Sequence, residues 1–326
     1  FARGLRGGGI DLPYNADTTE LKRRAGFMKF LTQYGSIPKQ STPHHPVTIL
    51  ATSAKQRYIR NGTFQYHAAY VLLTRLGYPP AILHENVLQK EDIPPVKLLI
   101  LINEEHDLRP KTREQIEKLH SSGTHIIAIG QKPRDIPVDS HIPEPLKHIF
   151  ENPENNGFGL ASHHWLWKDF LTRRSEFEAL FKKLRTQPRA TVNPEQAYAL
   201  TLDDGPIRYV AVITDRINSH SSKFVREPKL SVSLEGEWEL VRDLRLQQYL
   251  PSEIKDGRTL ISVPLETEPC TLLALIPKPK LTFEDYKSPA KLTAYTGSGN
   301  ILIEEFATTN DRLALDADKV VIQELL

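Results

Sequence analysis

Between Val47 and Gly130 the chain alternates short, unbroken apolar runs with longer segments of helical period: VTILATS, GTFQYHAAYVLLTRLGY, PAILHEN, VKLLILINEE, RPKTREQIEKLHSSG and THIIAIG. No other feature narrows the fold as far. A strand with one wet face alternates apolar and polar residues, whereas a strand covered on both faces is apolar throughout, which calls for helices above and below a parallel sheet. The pattern predicts a doubly wound, flavodoxin-like α/β domain over residues 47–190.

The flanks read differently. In DTTELKRRAGFMKFLTQYG, Asp17 and Glu20 have capping-box spacing, Leu21, Ala25, Met28 and Leu31 share a face, and Gly35 is a stop signal, so a helix is predicted. SIPKQSTPHHP then reads as a linker, making residues 1–46 a strand-helix tail of a preceding domain. On the other side, Gln131 to Asn156 is polar and proline-rich. The following HHWLWKDFLTRRSEFEALFKKLRTQ has a helical stripe of Trp165, Phe170, Phe177, Leu180, Phe181 and Leu184, expected to lead out of the α/β domain.

After PRATVNP the period shortens to two, with strands such as LSVSLEG, TLISVPL and CTLLALIP, and hairpin tips at Asp204-Gly205 and Ser298-Gly299. Residues 191–326 are therefore expected to form a small antiparallel β-sandwich. Eleven of the twelve histidines precede residue 190, which supports a boundary there.

Charge and composition exclude several partners. Forty-two basic and forty acidic residues leave +2, too little field to argue for nucleic acid or an anionic membrane. The longest apolar run, Val96 to Ile102, is far below the roughly 18 residues of a membrane span. A single cysteine, Cys270, rules out an intrachain disulfide. RGGGID has clustered glycines without the Lys-Ser/Thr of a phosphate loop, so no cofactor is expected. The start at FARGLRGGG, without methionine, reads as part of a longer protein and leaves the compartment open.

The order of these parts, from FARGLRGGGIDLP and its helix, through YHAAYVLLTRLGYPPAILHEN and KLLILINEEHDLRPKTREQIEKLHSSGTHIIAIG, to EPCTLLALIPKP, resembles the carboxyl half of multidomain glycoside hydrolases of the family 42 β-galactosidase type. The resemblance implies a preceding catalytic (β/α)8 barrel, whose last strand FARGLRGGGIDLP resembles, with Asp17 to Tyr34 as the next helix. It implies an amidotransferase-like trimerisation domain that contributes to subunit association. Nearly all of the barrel, including both catalytic carboxylates, lies outside these residues.

Candidate chemistry is sparse. Class I glutamine amidotransferases place a cysteine in a sharp turn after a central strand. The turns here, ATSAK, INEEH and AIGQK, have none, and Cys270 in CTLLALIP reads as a half-buried structural residue. Ser53, Glu104, Glu105 and Gln131 stand at the carboxyl ends of predicted parallel strands, where ligands of such sheets bind, and could hold a polyol or a cation. Glu104 and Glu105 are neighbours on a strand, pointing to opposite faces, and more simply begin the next helix. His44-His45 and His163-His164 lack chelating spacing, so no metal site is expected. Tyr66, Tyr70, Trp165, Trp167 and Trp238 suit sugar stacking by type, with packing the simpler role. Surplus apolar side chains on the long helical segment place Trp165, Trp167 and Phe170 at an expected interface, either self-association or packing on a barrel domain. The reading is a non-catalytic accessory region of a glycoside-hydrolase-like protein. The alternatives are a stand-alone sugar-binding or sensory module, and a hydrolase completed by a barrel beyond these residues.

Overall fold

The computed structural model describes residues 41–53, 62–90, 95–103, 108–146, 173–193, 197–214, 229–265 and 270–276, the backbone of 294–297 and 300–303, Ile93, and scattered positions between 25 and 37. Those scattered positions are helical; all but Ile37 lie on the segment with the capping-box spacing, and Ile37 is helical beyond the expected stop at Gly35, in the stretch read as a linker. The chain divides into two units, an α/β unit over 45–198 and 214–227 and an antiparallel unit that takes in the stretch up to His44, 199–213 and the chain from Pro228.

The first strand, β1 (Thr42–Pro43), belongs to the antiparallel unit. The α/β unit opens with β2 (Val47–Ala51) and continues through α1 (Gly62–Arg75), β3 (Pro80–His84), the single turn α2 (Glu85–Leu88), β4 (Leu98–Ile102), α3 (Pro110–Ser121), β5 (His125–Ile129) and β6 (Ser140–Ile142). A further helix covers 173–183. The five strands are parallel, in spatial order β3-β2-β4-β5-β6. Why the strands are apolar throughout is visible in β4. Leu98, Ile100 and Ile102 pack in one cluster with Tyr66, Leu73, Phe177 and Phe181, from α1 and helix 173–183. Leu99 and Leu101 pack in another with Leu88 and Ile116, from α2 and α3. Alternate side chains enter opposite layers, and both layers are dry.

The three longer helices whose ends are described stop in the same way. After α1, the Gly77 N–H donates to the Thr74 carbonyl (3.1 Å) and the Tyr78 N–H to that of Leu73 (2.8 Å); after α3, Gly123 donates to His120 (2.9 Å) and Thr124 to Leu119 (3.0 Å). These are Schellman caps, with the glycines at φ 85° and 98°. The third helix ends with Arg185 donating to Lys182 and Thr186 to Phe181, both at 3.0 Å, but the left-handed residue is Arg185, at φ 52°.

Three expectations are corrected. The polar stretch after Gly130 contains β6, a three-residue parallel edge strand too short for any periodicity to mark it. PAILHEN runs on into α2, a single helical turn that the apolar pattern does not announce. The described part of the long helical segment does not lead out of the α/β unit, because Phe177 and Phe181 are fully buried against the sheet, with Leu180 and Leu184 packed beside them. Its apolar stripe is the predicted one; its destination is not.

In the antiparallel unit, β1 pairs with β8 (Ala197–Asp204), so the stretch read as a linker contributes two residues of strand. The remaining strands are β9 (Ile207–Thr214), β10 (Lys229–Glu235), β11 (Leu240–Asp243), β12 (Gln248–Tyr249), β13 (Ser252–Lys255), β14 (Arg258–Pro264), β15 (Cys270–Ile276), β16 (Ala294–Gly297) and β17 (Asn300–Ile303), while β7 (Ala190–Asn193) precedes them in the α/β unit. One sheet runs β1-β8-β9-β15-β11-β12, and β13, β14 and β10 are neighbours in another. β10 and β14 alternate buried and open positions, as strands with one wet face must. The Asp204-Gly205 tip joins β8 to β9; Ser298-Gly299 and DKVVIQEL lie outside the described residues. Cys270 opens β15, half-buried, opposite Ile213. The buried carboxylate of Asp243 shapes the turn after β11, its Oδ1 accepting from the backbone of Arg245 (2.9 Å) and Leu246 (3.1 Å) and from the Thr271 hydroxyl (2.7 Å).

Tyr209 on β9 sets an alkaline limit. Burial, reinforced by the nearby Asp204 carboxylate, pushes its phenol up from 10.0 to about 12. The unfolded chain releases this proton first, so the contribution is complete below pH 10 and is lost as pH rises to about 12. Chemical denaturation across that window should show a stability loss of roughly 2 kcal/mol that Tyr209→Phe removes. An unchanged slope in the variant would place the loss elsewhere.

Candidate functional site

The strand order reverses direction at β2, because the chain passes from β2 to β3 on one side and then to β4 on the other. The carboxyl ends of β2 and β4 flank that switch point, where ligands of open α/β sheets bind. Ser53 follows β2 there and is buried. Its backbone N–H donates to Glu85 Oε1 at 2.9 Å. Glu85 stands at the corresponding end of β3, opens α2, and is only 2% exposed. Arg109, which precedes α3, brings Nε to 3.5 Å from the same oxygen and Nη1 to 3.3 Å from Asn86 Oδ1. Its side chain is 53% exposed, so the pair joins a buried acid to a wetted guanidinium. Beside them the Thr52 N–H donates to the Tyr66 hydroxyl at 3.0 Å.

A second group lies at the ends of β4 and β5. Asn103 has φ 47°, the left-handed conformation that asparagine tolerates better than most residues. Its N–H donates to the Ile129 carbonyl at 2.8 Å, and its Oδ1 accepts from the Gln131 N–H at 3.2 Å. Gly130, at φ 76°, lies against that side chain, and a Cβ there would fall 1.5 Å from Oδ1. His141 on β6 places Nε2 at 2.7 Å from the Gly130 carbonyl, so this nitrogen carries the proton.

The structure therefore joins Ser53 to Glu85 and Gln131 to Asn103. Glu104 and Glu105 lie outside the described residues, as do Trp165, Trp167, Phe170 and the His163 pair. Glu85, Asn103 and Arg109 are the residues the strand-end reasoning missed. PAILHEN contained the signal for Glu85, an acid directly after an apolar strand, but a bond to the neighbouring strand's backbone leaves no trace in sequence. Among the described residues no three His, Cys, Asp or Glu side chains converge as a metal would need. His45 places its Nδ1 3.2 Å from the Pro79 carbonyl, and Tyr66 is a buried packing residue. Trp238, in the antiparallel unit, donates its indole N–H to the Glu235 carbonyl (2.8 Å) beneath the Arg208 guanidinium.

Chemically, the strand ends offer a hydrogen-bonded clamp. The described turns after β2, β4 and β5 present Thr52-Ser53, Asn103 and Gly130-Gln131, which hold no thiol. Removing the Glu85 carboxylate leaves a buried Ser53 N–H without its acceptor, at about 2 kcal/mol. Glu85→Ala is expected to show that loss in urea unfolding, whereas Glu85→Gln, which keeps Oε1, should retain most of the stability. Equal losses in the two variants would mean that the charge toward Arg109, and not the bond to Ser53, stabilises the corner.

Comparison with known proteins finds no matching family model and no matching curated protein. Solved structures do match, and they define a class: the fold is one that recurs in glycoside hydrolases, at low identity and partial coverage. Among them is the α-L-fucosidase isoenzyme 2 from Paenibacillus thiaminolyticus, at TM-score 0.50 and 10% identity, over 80% of this chain and 53% of that one. Another is a catalytic mutant of Gan42B, a GH42 β-galactosidase from G. stearothermophilus, at TM-score 0.50 and 12% identity, over 83% of this chain and 47% of that one. The chain spans about half the length of the structures it matches.

Proposed function

We propose that this chain is a non-catalytic accessory region of a glycoside-hydrolase-like protein, organising subunits or domains around a carbohydrate-active site formed elsewhere. Its α/β unit is read as an amidotransferase-like, trimerisation-type domain over 47–190, and the antiparallel unit as a β-sandwich domain over 191–326. Numbered along the sheet's own strands, the spatial order is 2-1-3-4-5, the flavodoxin-like arrangement, which supports the finer assignment.

One observation carries the reading. At the described strand ends, where an enzyme of this fold would present reactive groups, the Glu85 carboxylate accepts from the Ser53 backbone N–H and the Asn103 amide oxygen from that of Gln131, so both side chains serve the main chain. The outer strand β3 instead exposes apolar surface, with Ile82 at 49% and Val87 on the adjoining turn at 41%. An unprotected apolar sheet edge is a liability in a monomer and a resource for association. The proposed contact uses this edge together with Trp165, Trp167 and Phe170, and buries on the order of 2,000 Å².

Sedimentation at micromolar concentration tests it. The chain is expected to self-associate, and Ile82→Lys with Val87→Lys to dissociate it without unfolding it. Serine at Trp165, Trp167 and Phe170 should weaken the same association. A strictly monomeric protein, or an oligomer indifferent to all five changes, would overturn the reading.

A further inference from the structure

Away from the strand ends, the α/β unit holds a cavity of about 560 Å³ between the end of α1 and helix 173–183, within the size range of small-molecule sites. Arg75, Arg174, Lys182 and Arg185 line it, with Glu178 as the one carboxylate. That carboxylate is already engaged, since Arg174 Nε lies 2.6 Å from its Oε1. Lys182 and Arg185 are exposed along what is an open groove, and their side chains form no ion pair among the described residues, so the groove presents positive charge to solvent. Gln187 and Thr191 add neutral hydrogen-bonding groups to the lining.

Basic residues near a helix end commonly do no more than complement its dipole and its last carbonyls. Two observations take this cavity further. The carbonyls of Thr74, Leu73, Lys182 and Phe181 already accept backbone N–H groups in the two Schellman caps, so they do not need these side chains. The caps themselves are unequal. α1 and α3 use Gly77 and Gly123 at the left-handed position, whereas helix 173–183 uses Arg185, at φ 52°. A side chain there is strained where glycine is not; Asn103, Asp135, Gln247 and Asp256 are left-handed too, but Arg185 is the one of these that lines the groove.

We propose that this cavity binds a saccharide bearing a phosphate or sulfate group, with Lys182 and Arg185 taking the oxyanion and Gln187 and Thr191 the hydroxyls. The oxyanion follows from the charged wall alone. The saccharide follows from a volume well beyond that of a bare oxyanion and rests on the glycoside-hydrolase-like reading.

Calorimetric titration of the full chain tests this with a disaccharide monophosphate, the corresponding monosulfate, the neutral disaccharide and inorganic sulfate. Both charged disaccharides are expected to bind, about tenfold or more tighter than the neutral sugar or the free ion, a difference typical of charge-assisted hydrogen bonds. A preference between phosphate and sulfate identifies the source of the oxyanion. Arg185→Gly should weaken binding about tenfold while raising Tm by about 2 °C or more, because glycine relieves the cap. Arg185→Lys should keep most of the affinity. Equal binding of the neutral sugar overturns the oxyanion, equal binding of inorganic sulfate overturns the saccharide, and a lower Tm in Arg185→Gly makes the arginine structural and overturns the site. Sedimentation of Arg185→Gly is expected to be unchanged, so failure here is distinguishable from failure of the association reading.

Discussion

Phe181→Ala is expected to lower the stability of the α/β unit by about 4 kcal/mol, in the upper range for a single large-to-small change in a core. The ring is fully buried on the helical layer that covers β4 and β5. It stacks on Tyr78 with centroids 4.0 Å apart, a contact that adds to the area it removes from water. The void would close poorly. Tyr78 is the neighbour best placed to fill it, but its hydroxyl donates to the Thr186 carbonyl at 2.9 Å, which holds the ring in its present plane. Urea unfolding should show a lower midpoint with an unchanged slope, the signature of lost stability without a change in the folded state. A loss below about 1.5 kcal/mol would mean that the layer collapses onto the gap, and that Tyr78 is less firmly held than its hydrogen bond implies.

The strands were legible because burial on two faces leaves a mark on every residue. β2, β4 and β5 are apolar runs in sequence and appear where those runs predict. α3 was legible through Pro110 at its start and Gly123 past its end. β6 was not, since Ser140–Ile142 is three residues on an edge, held in place by pairing with β5 and by nothing in its own composition. The route of helix 173–183 was illegible for another reason. A stripe of Phe177, Phe181 and Leu184 says that one face is buried, and only tertiary structure says against what.

The candidate site divides along the same line. Ser53 and Gln131 were legible as strand-end positions because apolar runs reveal where strands stop. Their partners were not, because the bonds from Ser53 to Glu85 and from Gln131 to Asn103 span neighbouring strands and depend on the order β3-β2-β4-β5. Arg185 is the clearest case of local chemistry that misleads. KKLRTQP lacks the glycine that marks the other two helix ends, yet the chain makes the same turn with an arginine.

Gly77→Ala should destabilise the same layer by about 3 kcal/mol, and its counterpart Gly123→Ala shows how that figure divides. Both glycines cap helices at strongly positive φ, so alanine at either carries a left-handed penalty of roughly 1–2 kcal/mol. A Cβ added at Gly123 would meet nothing within 4 Å, so that penalty is the whole cost. At Gly77 the same atom would stand 2.7 Å from Pro188 Cβ and 2.8 Å from the Ala190 carbonyl oxygen. Neither can swing away: one belongs to a proline ring and the other to backbone at the start of β7. The overlap must be relieved by shifting the segment that follows helix 173–183, at a further 1–3 kcal/mol typical of overpacking, so roughly 2 kcal/mol should separate the two variants. Parallel denaturation of Gly77→Ala and Gly123→Ala measures that difference directly. Equal losses would show that the segment at Pro188 yields freely, so that the close approach at Gly77 contributes nothing to holding α1 against the chain leaving the sheet.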